Sequence, residues 1–399
     1  PHNTNLSNGV MFALEDAKGN SLSPAYAETR SRWEPLLEVT QMKGDSETHP
    51  VLSPADEFVK FERINSISLS SYLSDKREAG YTDYQHWFDE RNSTEANDDW
   101  MRPYEYARSA LKLGLQQQAK LGINPFKFGM IGSTDTHTSL STVGENNFWG
   151  KLSSGGPSKN RLENAWDGTS LNSEIGKWWG PSWKQNAAGY AAVWAKENTR
   201  ESLFAAMKRK EVYASTGPRI TVRFFGGWDY QPEDAFVPDL AKIGYIKGVP
   251  MGSDLTNAPV GKVPSFLILA VRDPDGANLD RVQVIKGWHD RHGELHEKIY
   301  NVALSDGRKE NWEGKVKPVG NTVDVKDASY TNSIGDPELA VVWKDPDFNK
   351  DELAFYYVRV LEIPTPRWTA YDAKFFGIKY IPKEVPMVTQ ERAYTSPIW

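Results

Sequence analysis

The chain has 399 residues, of which 39% are hydrophobic and 25% are charged, and its formal net charge is −6. This composition is typical of a globular protein, and the length predicts two domains rather than one. An acidic chain without a long Lys/Arg run lacks the positive surface that a phosphate backbone requires, which excludes nucleic acid as a partner. The absence of cysteine excludes disulfides, thiolate metal ligands and cysteine nucleophiles.

The first part of the chain alternates between helix and strand patterns. Ser and Pro pairs predict helix starts at Ser23-Pro24 and Ser53-Pro54. Between them, Leu36-Leu37-Glu38-Val39 predicts a buried strand. A longer helix over 103–121 and an apolar strand over 126–131 come next. Strand, helix, strand is the order of an α/β fold.

The second part of the chain has a different character. Residues 144–188 are rich in Asn, Gly and Ser with embedded tryptophans, and predict an insertion that is placed to act as a lid over a site. A capping box at 198–201 predicts one more helix, ending near residue 210. Beyond it, runs over 219–224, 266–271, 281–285, 339–343 and 355–361 predict strands, and no helix is predicted. We therefore expect an α/β domain over 1–215 and a β-sandwich-like domain over 216–399.

The residues with the clearest chemistry come after the strand at 126–131. Asp135 and His137 are two positions apart, so in an extended chain both side chains point to the same side. Imidazole and carboxylate are the ligands that divalent metals accept when thiolates are absent. Glu38, His49 and His2 also lie at predicted strand ends or in loops of the same domain. The pattern predicts a metal site at one edge of that domain.

Four segments carry a resemblance to a known family. These are 1–9, which opens with Pro-His-Asn, 38–50, which ends in Thr-His-Pro, 128–137, which ends in Thr-Asp-Thr-His, and 362–372, which contains Pro-Thr-Pro-Arg-Trp. They resemble the bacterial domain-of-unknown-function family 3604. That family is similar to the polymerase and histidinol phosphatase (PHP) superfamily of metal-dependent hydrolases. The resemblance covers nearly the whole chain.

The resemblance implies part of a distorted (β/α)7 barrel, similar to a TIM barrel, with two or three Zn, Mn or Fe ions at the strand ends. His2, His49, Asp135 and His137 correspond to ligand positions, and Glu38 is the least secure of the set. Asp135 and His137 are also the expected catalytic residues. The superfamily's opening His-x-His motif would lie upstream of residue 1. We therefore expect an upstream fragment of the same protein to complete the barrel.

The resulting expectation is a hydrolase that uses metal-activated water on an ester bond, with phosphoesters as the first substrate class. Carboxyl esters or carbamates are the alternative substrates. A different alternative is a non-catalytic protein that binds a glycan or other small ligand and whose metal is structural. Lys43, Arg367 and Trp149 are the expected substrate contacts.

The sequence says little about the location of the protein. The longest aliphatic run, over 266–271, is far shorter than the roughly 20 residues of a membrane helix, so no membrane span is expected. The apparently processed start and the lack of cysteine are compatible with the periplasm, which we favour slightly over the cytoplasm.

Overall fold

The structure is a computed structural model that describes residues 1–62, 98–173, 176, 180–187 and 189–399. The α-helices are α1 (Pro24–Trp33), α2 (Ala107–Leu121), α3 (Arg200–Lys208), α4 (Leu240–Lys247) and α5 (Trp368–Phe376). The strands are β1 (Leu36–Gln41), β2 (Gly44–Asp45), β3 (Gly129–Gly132), β4 (Tyr190–Val193), β5 (Val212–Ser215), β6 (Thr221–Gly227), β7 (Gly248–Pro250), β8 (Ser265–Val271), β9 (Leu279–His289), β10 (Leu295–Leu304), β11 (Glu338–Lys344), β12 (Leu353–Glu362), β13 (Thr365–Pro366), β14 (Val388–Thr389) and β15 (Arg392–Thr395).

The strands form four sheets. A six-stranded antiparallel sheet has the order β10-β9-β12-β15-β5-β4, and a four-stranded antiparallel sheet has the order β11-β8-β6-β7. A three-stranded sheet has the order β2-β1-β3, in which β1 and β3 are parallel. Strands β13 and β14 form a small ribbon. The six-stranded sheet thus combines strands from both sides of residue 215.

The six-stranded sheet is buried on both faces. Along β12, Tyr356, Val358 and Val360 belong to the core shared with the four-stranded sheet. Phe355 and Tyr357 belong to a second core, on the opposite face, because successive strand residues point to opposite sides. Helix α2 and the three-stranded sheet contribute to that second core. The protein is therefore layered around its largest sheet.

Helix α2 forms because its apolar residues recur at helical spacing. Ala107, Leu111 and Leu115 are fully buried against the second core. Gly122 ends the helix in the left-handed conformation, with φ at 78°, where glycine has no Cβ to clash. Helix α2 lies between the parallel strands β1 and β3 along the chain. This order is the strand, helix and strand that the sequence predicted.

The predicted barrel is wrong. Among the described residues the chain is sheet-rich, most strand pairs are antiparallel, and no closed barrel is found. The unit β1-α2-β3 does not continue into further parallel strands, since α2 buries its apolar side against the antiparallel six-stranded sheet instead of against a ring of parallel strands. The described residues therefore form mainly antiparallel sheets, and the predicted α/β class with a TIM-like barrel is wrong.

Two local predictions are also corrected. Helices α4 and α5 lie in the region where no helix was expected. The segment that begins at Ser53-Pro54 forms turns through residue 62 rather than the first turns of a helix, and residues 63–97 lie outside the described ranges. Within the described ranges, no helix combines the length and the apolar character that a membrane crossing requires.

Candidate functional site

The N-terminal segment runs beside β1 and brings His2 to Glu38. The backbone amide of Glu38 donates to the carbonyl of Pro1 at 3.1 Å. His2 Nδ1 lies 2.5 Å from Glu38 Oε2, and the hydroxyl of Ser133 donates to Glu38 Oε1. Ser133 directly follows β3, whose Ile131 is the register partner of Glu38. The parallel pairing of β1 and β3 therefore builds a hydrogen-bonded row from Ser133 through Glu38 to His2.

Asp135 lies at the centre of the candidate site. Its backbone is left-handed, with φ at 53°, a conformation that Asp tolerates better than most residues. Its Oδ1 faces two imidazoles, with His137 Nε2 at 3.4 Å and His2 Nε2 at 3.8 Å. Its Oδ2 accepts from Lys43 Nζ at 2.5 Å and from Lys151 Nζ at 2.8 Å. We call the following residues the Asp135 group: His2, Glu38, Lys43, Ser133, Asp135, His137 and Lys151.

Burial in the Asp135 group is uneven. The side chains of Glu38, Asp135, Lys43 and Lys151 are at most 10% exposed, whereas those of His2 and His137 are 51% and 56% exposed. The charged groups are therefore held inside the fold, and the two imidazoles face solvent. A reactant that approaches from solvent meets the imidazoles first.

The charges of Asp135 and Lys151 depend on each other. Burial acts to raise the pKa of the Asp135 carboxyl, but the hydrogen bonds from Lys151 and Lys43 outweigh it and hold this pKa below its ordinary value. Burial lowers the pKa of Lys151, and the hydrogen bond with Asp135 acts in the opposite direction. Asp135 is therefore a stable carboxylate at neutral pH, rather than a group ready to take up a proton.

The hydrogen bonds give the ring nitrogens of the two histidines different donor and acceptor roles. Lys151 Nζ lies 2.9 Å from His137 Nε2, and because an ammonium only donates, this nitrogen is the acceptor. His2 Nδ1 faces the carboxylate of Glu38, so Nδ1 carries the proton and, in the neutral ring, Nε2 keeps a free lone pair. His2 Nε2 is therefore the basic nitrogen of the group that is free to act on a reactant.

The arrangement does not fit a bound metal. Imidazole and carboxylate are suitable ligands, but a divalent cation beside Asp135 would face two ammonium groups at ion-pair distance. In the part of the chain that the structure describes, no group of three or more His, Asp or Glu side chains is arranged to hold a metal ion. No ready binding site for Zn, Mn or Fe is therefore evident among the described residues, because the two lysines already neutralise the carboxylate that the ion would need. The metal ions and their ligands stay predictions.

The predicted ligand His49 contacts Tyr106 and Val51. Its ring packs beside Tyr106, with 5.4 Å between the ring centroids. Its Nδ1 accepts from the backbone amide of Val51 at 3.3 Å. These contacts hold His49 in the turn after β2, while His2, Glu38, Asp135 and His137 come together as the sequence suggested.

Among the predicted substrate contacts, Lys43 joins the Asp135 group, whereas Arg367 is held by the fold. Arg367 is 1% exposed, and Nε and Nη2 each lie 2.8 Å from an oxygen of Glu62. It also donates to the carbonyls of Trp183 and Gln185. Trp149 is 41% exposed. Its role stays a prediction.

Lys151 and Ser133 are the members that sequence reasoning missed. Lys151 comes from the 144–188 insertion, and its backbone carbonyl accepts from the amide of His137 at 2.9 Å. A lysine in a Gly- and Asn-rich stretch shows no spacing that would single it out. Ser133 stands two residues before Asp135, and its place in the Ser-Thr-Asp-Thr-His run is the one feature that could have identified it.

The fold and this group define a sheet-rich protein that carries a half-exposed cluster of His, Asp, Glu and Lys. A family model described as "Protein of unknown function (DUF3604)" matches residues 1–399, so the chain belongs to this family. No curated protein and no solved structure shows a significant match to the chain.

Proposed function

We propose that the protein is a hydrolase of anionic esters, with phosphoesters as the first class to test, and that His2 is the general base. The observation that carries the proposal is the 2.5 Å contact between His2 Nδ1 and Glu38 Oε2. A carboxylate that holds one imidazole nitrogen orients the ring and stabilises the imidazolium that forms when the other nitrogen takes a proton. The sequence pointed to Asp135 and His137 instead.

The same group offers a place for an anionic substrate. Two lysines and two imidazoles surround Asp135, and the imidazoles are half exposed. A phosphoryl oxygen that replaces Asp135 Oδ2 as the acceptor for Lys151 keeps the charge-assisted hydrogen bond. His2 Nε2 then takes a proton from a water molecule, and the hydroxide attacks the phosphorus. The bond from phosphorus to the ester oxygen breaks, and the alcohol leaves with the proton that the His2 imidazolium returns. Asp135 stabilises the resulting imidazolium from 3.8 Å.

The proposal also includes a relationship to the PHP superfamily and the choice of substrate. Kinship with the PHP superfamily rests on the motifs at 1–9 and 128–137 and has no support from the described fold. Carboxyl esters and carbamates stay as alternative substrates, since His2 would activate water for them in the same way. An upstream fragment and a small-molecule or glycan-like ligand also stay predictions.

The test compares the wild-type chain with His2→Gln on 4-nitrophenyl phosphate, bis(4-nitrophenyl) phosphate and 4-nitrophenyl acetate. Loss of a general base lowers kcat by about 10²- to 10⁴-fold. His292→Gln is the matched control, because His292 is an exposed histidine in the turn between β9 and β10. Circular dichroism should show the same thermal midpoint for the three proteins. Equal kcat in His2→Gln and wild type, or no turnover of any ester, would overturn the proposal.

A second variant tests the anion contact. Lys151→Met should raise KM for the phosphoesters about tenfold or more, because it removes a charge-assisted hydrogen bond of roughly 1.5–3 kcal/mol. KM for the neutral acetate ester should stay unchanged. Each assay is repeated with EDTA and with added Zn²⁺ or Mn²⁺. Turnover that requires the added ion would show that a metal displaces the lysines, and would overturn the mechanism through His2 alone.

A further inference from the structure

A cavity whose lining contains no residue of the Asp135 group lies beside the end of β12 and the start of α5. Its volume is about 330 Å³, within the usual range of small-molecule sites. Its lining includes three glutamates and three tyrosines: Glu145, Glu362, Glu391, Tyr190, Tyr330 and Tyr371. We call it the glutamate cavity. Its walls combine acidic oxygens with aromatic rings.

Two of the glutamates, Glu145 and Glu391, are neighbours whose carboxyls interact with each other. Burial raises the pKa of Glu145 to about 7 and that of Glu391 well above its ordinary value. Glu145 also accepts from the backbone amide of Trp368, and Glu391 accepts from the hydroxyl of Thr216. This pair is anchored on both sides.

The third glutamate, Glu362, has a carboxyl oxygen that lacks a hydrogen-bond partner among the described residues. Glu362 is 1% exposed, and its Oε1 has no hydrogen-bond partner within the described ranges. Burial raises the pKa of its carboxyl well above the ordinary value, and the neighbouring carboxylate of Asp273 acts in the same direction. A buried polar atom without a partner is unfavourable. The cavity therefore offers an acceptor that a ligand could satisfy.

The nearby arginines are engaged elsewhere. Arg367 is bound by Glu62, and Arg219, which is 64% exposed, pairs with Asp273 and Asp275 at the rim. Arg272 donates to the carbonyl of Gly276 at 2.7 Å. Among the ion pairs of the described residues, none joins a Lys or Arg to the three glutamates of the cavity. The one arginine in the cavity lining, Arg219, is therefore paired with Asp273 and Asp275 rather than with the three glutamates.

We propose that the glutamate cavity binds a small organic cation of the aliphatic amine or diamine class. An ammonium group supplies only donors, which matches Glu362 Oε1 and the Glu391 carboxyl. The carbon chain packs against the tyrosine rings, whose faces attract cations. No group of three or more His, Asp or Glu among the described residues is arranged for a metal ion, and the cavity is larger than one ion needs.

The test is a calorimetric titration of the full chain with 1,4-diaminobutane. We expect saturable binding, weakened at least tenfold in Glu362→Gln and unchanged in Glu384→Gln, which replaces an exposed glutamate. Glu362→Gln removes a buried carboxyl that has no partner, so it should fold, and circular dichroism checks this. Two further probes are 1,4-butanediol and Ca²⁺, and neither should bind.

Three results would overturn the proposal. Diol binding as tight as diamine binding would show that the cavity recognises hydrogen-bonding groups of the ligand rather than its positive charge. Ca²⁺ binding that is lost in Glu362→Gln would show a metal site. Diamine binding that is equal in Glu362→Gln and wild type would place the ligand elsewhere. None of these results depends on ester hydrolysis at the Asp135 group.

Discussion

Two charged clusters of this protein differ in how completely they are closed. In one, Arg108 and Arg359 each contact both Glu47 and Asp56, at N–O distances of 2.5 to 2.9 Å. We call these four residues the buried quartet, since their side chains are at most 2% exposed. In the Asp135 group the charged side chains are nearly as buried, but both imidazoles are more than half exposed.

The difference separates a cluster that only holds elements of the fold together from one that a reactant can reach. In the buried quartet every carboxylate meets two guanidinium groups, which hold the pKa of Asp56 far below its ordinary value against the effect of burial. Such a network joins the turns after β2 to helix α2 and to β12, and a reactant has no access to it. In the Asp135 group the buried charges hold two imidazoles at the surface, so it offers a reactant both access and a basic nitrogen.

The largest expected effect comes from opening the buried quartet. Arg359→Met leaves Glu47 and Asp56 with one guanidinium between them, and breaking a buried pair in this way costs about 3–5 kcal/mol. Urea unfolding followed by tryptophan fluorescence measures the loss. Arg291→Met, at an exposed position of the β9–β10 turn, should change the free energy of unfolding by less than about 0.5 kcal/mol. Similar values for the two variants would contradict a structural role for the buried quartet.

Asp45 gives a smaller, pH-dependent effect next to the buried quartet. Burial and the nearby charge of Glu47 raise the pKa of Asp45 to about 7, and Tyr394 donates to Asp45 Oδ2 at 2.7 Å. Since this pKa is higher in the folded than in the unfolded chain, the stability contributed by Asp45 is present at low pH. It is lost as the pH rises from about 4 to about 7.

Asp45→Asn removes this titration. Relative to wild type, the variant should gain on the order of 1–4 kcal/mol in free energy of unfolding between pH 4 and pH 8. Urea unfolding at both pH values measures the difference, and Asp351→Asn, at an exposed site, serves as the control. A constant difference between wild type and Asp45→Asn across this range would show that Asp45 is already ionised in the folded protein at low pH.

The smallest effect is expected within the Asp135 group. Ser133→Ala removes the hydroxyl that donates to Glu38 Oε1, so Glu38 holds His2 less firmly. If His2 is the general base, kcat should fall about fivefold, which corresponds to roughly 1 kcal/mol, with little change in stability. Ser158→Ala, at an exposed position of the insertion, is the control. An unchanged kcat in Ser133→Ala would show that Ser133 does not help to orient His2.

Local sequence patterns located about half of the described helices and strands, and these closely. Ser23-Pro24 predicted the start of α1, and Ser23 does accept from the amide of Tyr26 as its cap. The apolar runs at 266–271 and 355–361 fall within β8 and β12. The helix start predicted at Ser53-Pro54 was wrong, because a capping signal describes only the first turn of a helix. The arginine and acid contacts of the buried quartet fix the described part of that segment as turns.

The candidate site was predicted only in part. Asp135, His137, His2 and Glu38 were selected from strand-end positions and from the family resemblance, and the structure brings them together. Lys151 could not be found in this way, because it reaches Asp135 from an insertion with no periodic pattern. His49 was selected from the same motifs and contacts Tyr106 and Val51, and its role as a ligand stays a prediction.

By itself, the sequence determined the family, the positions of about half of the described helices and strands, and the residue types available for chemistry. These depend on neighbours along the chain, through capping, periodicity and composition. Only the tertiary structure decided that the strands pair mainly antiparallel, that two lysines face Asp135, and that His2 rather than His137 keeps a free nitrogen. These features depend on contacts between residues far apart in the chain, and local patterns carry no information about such contacts.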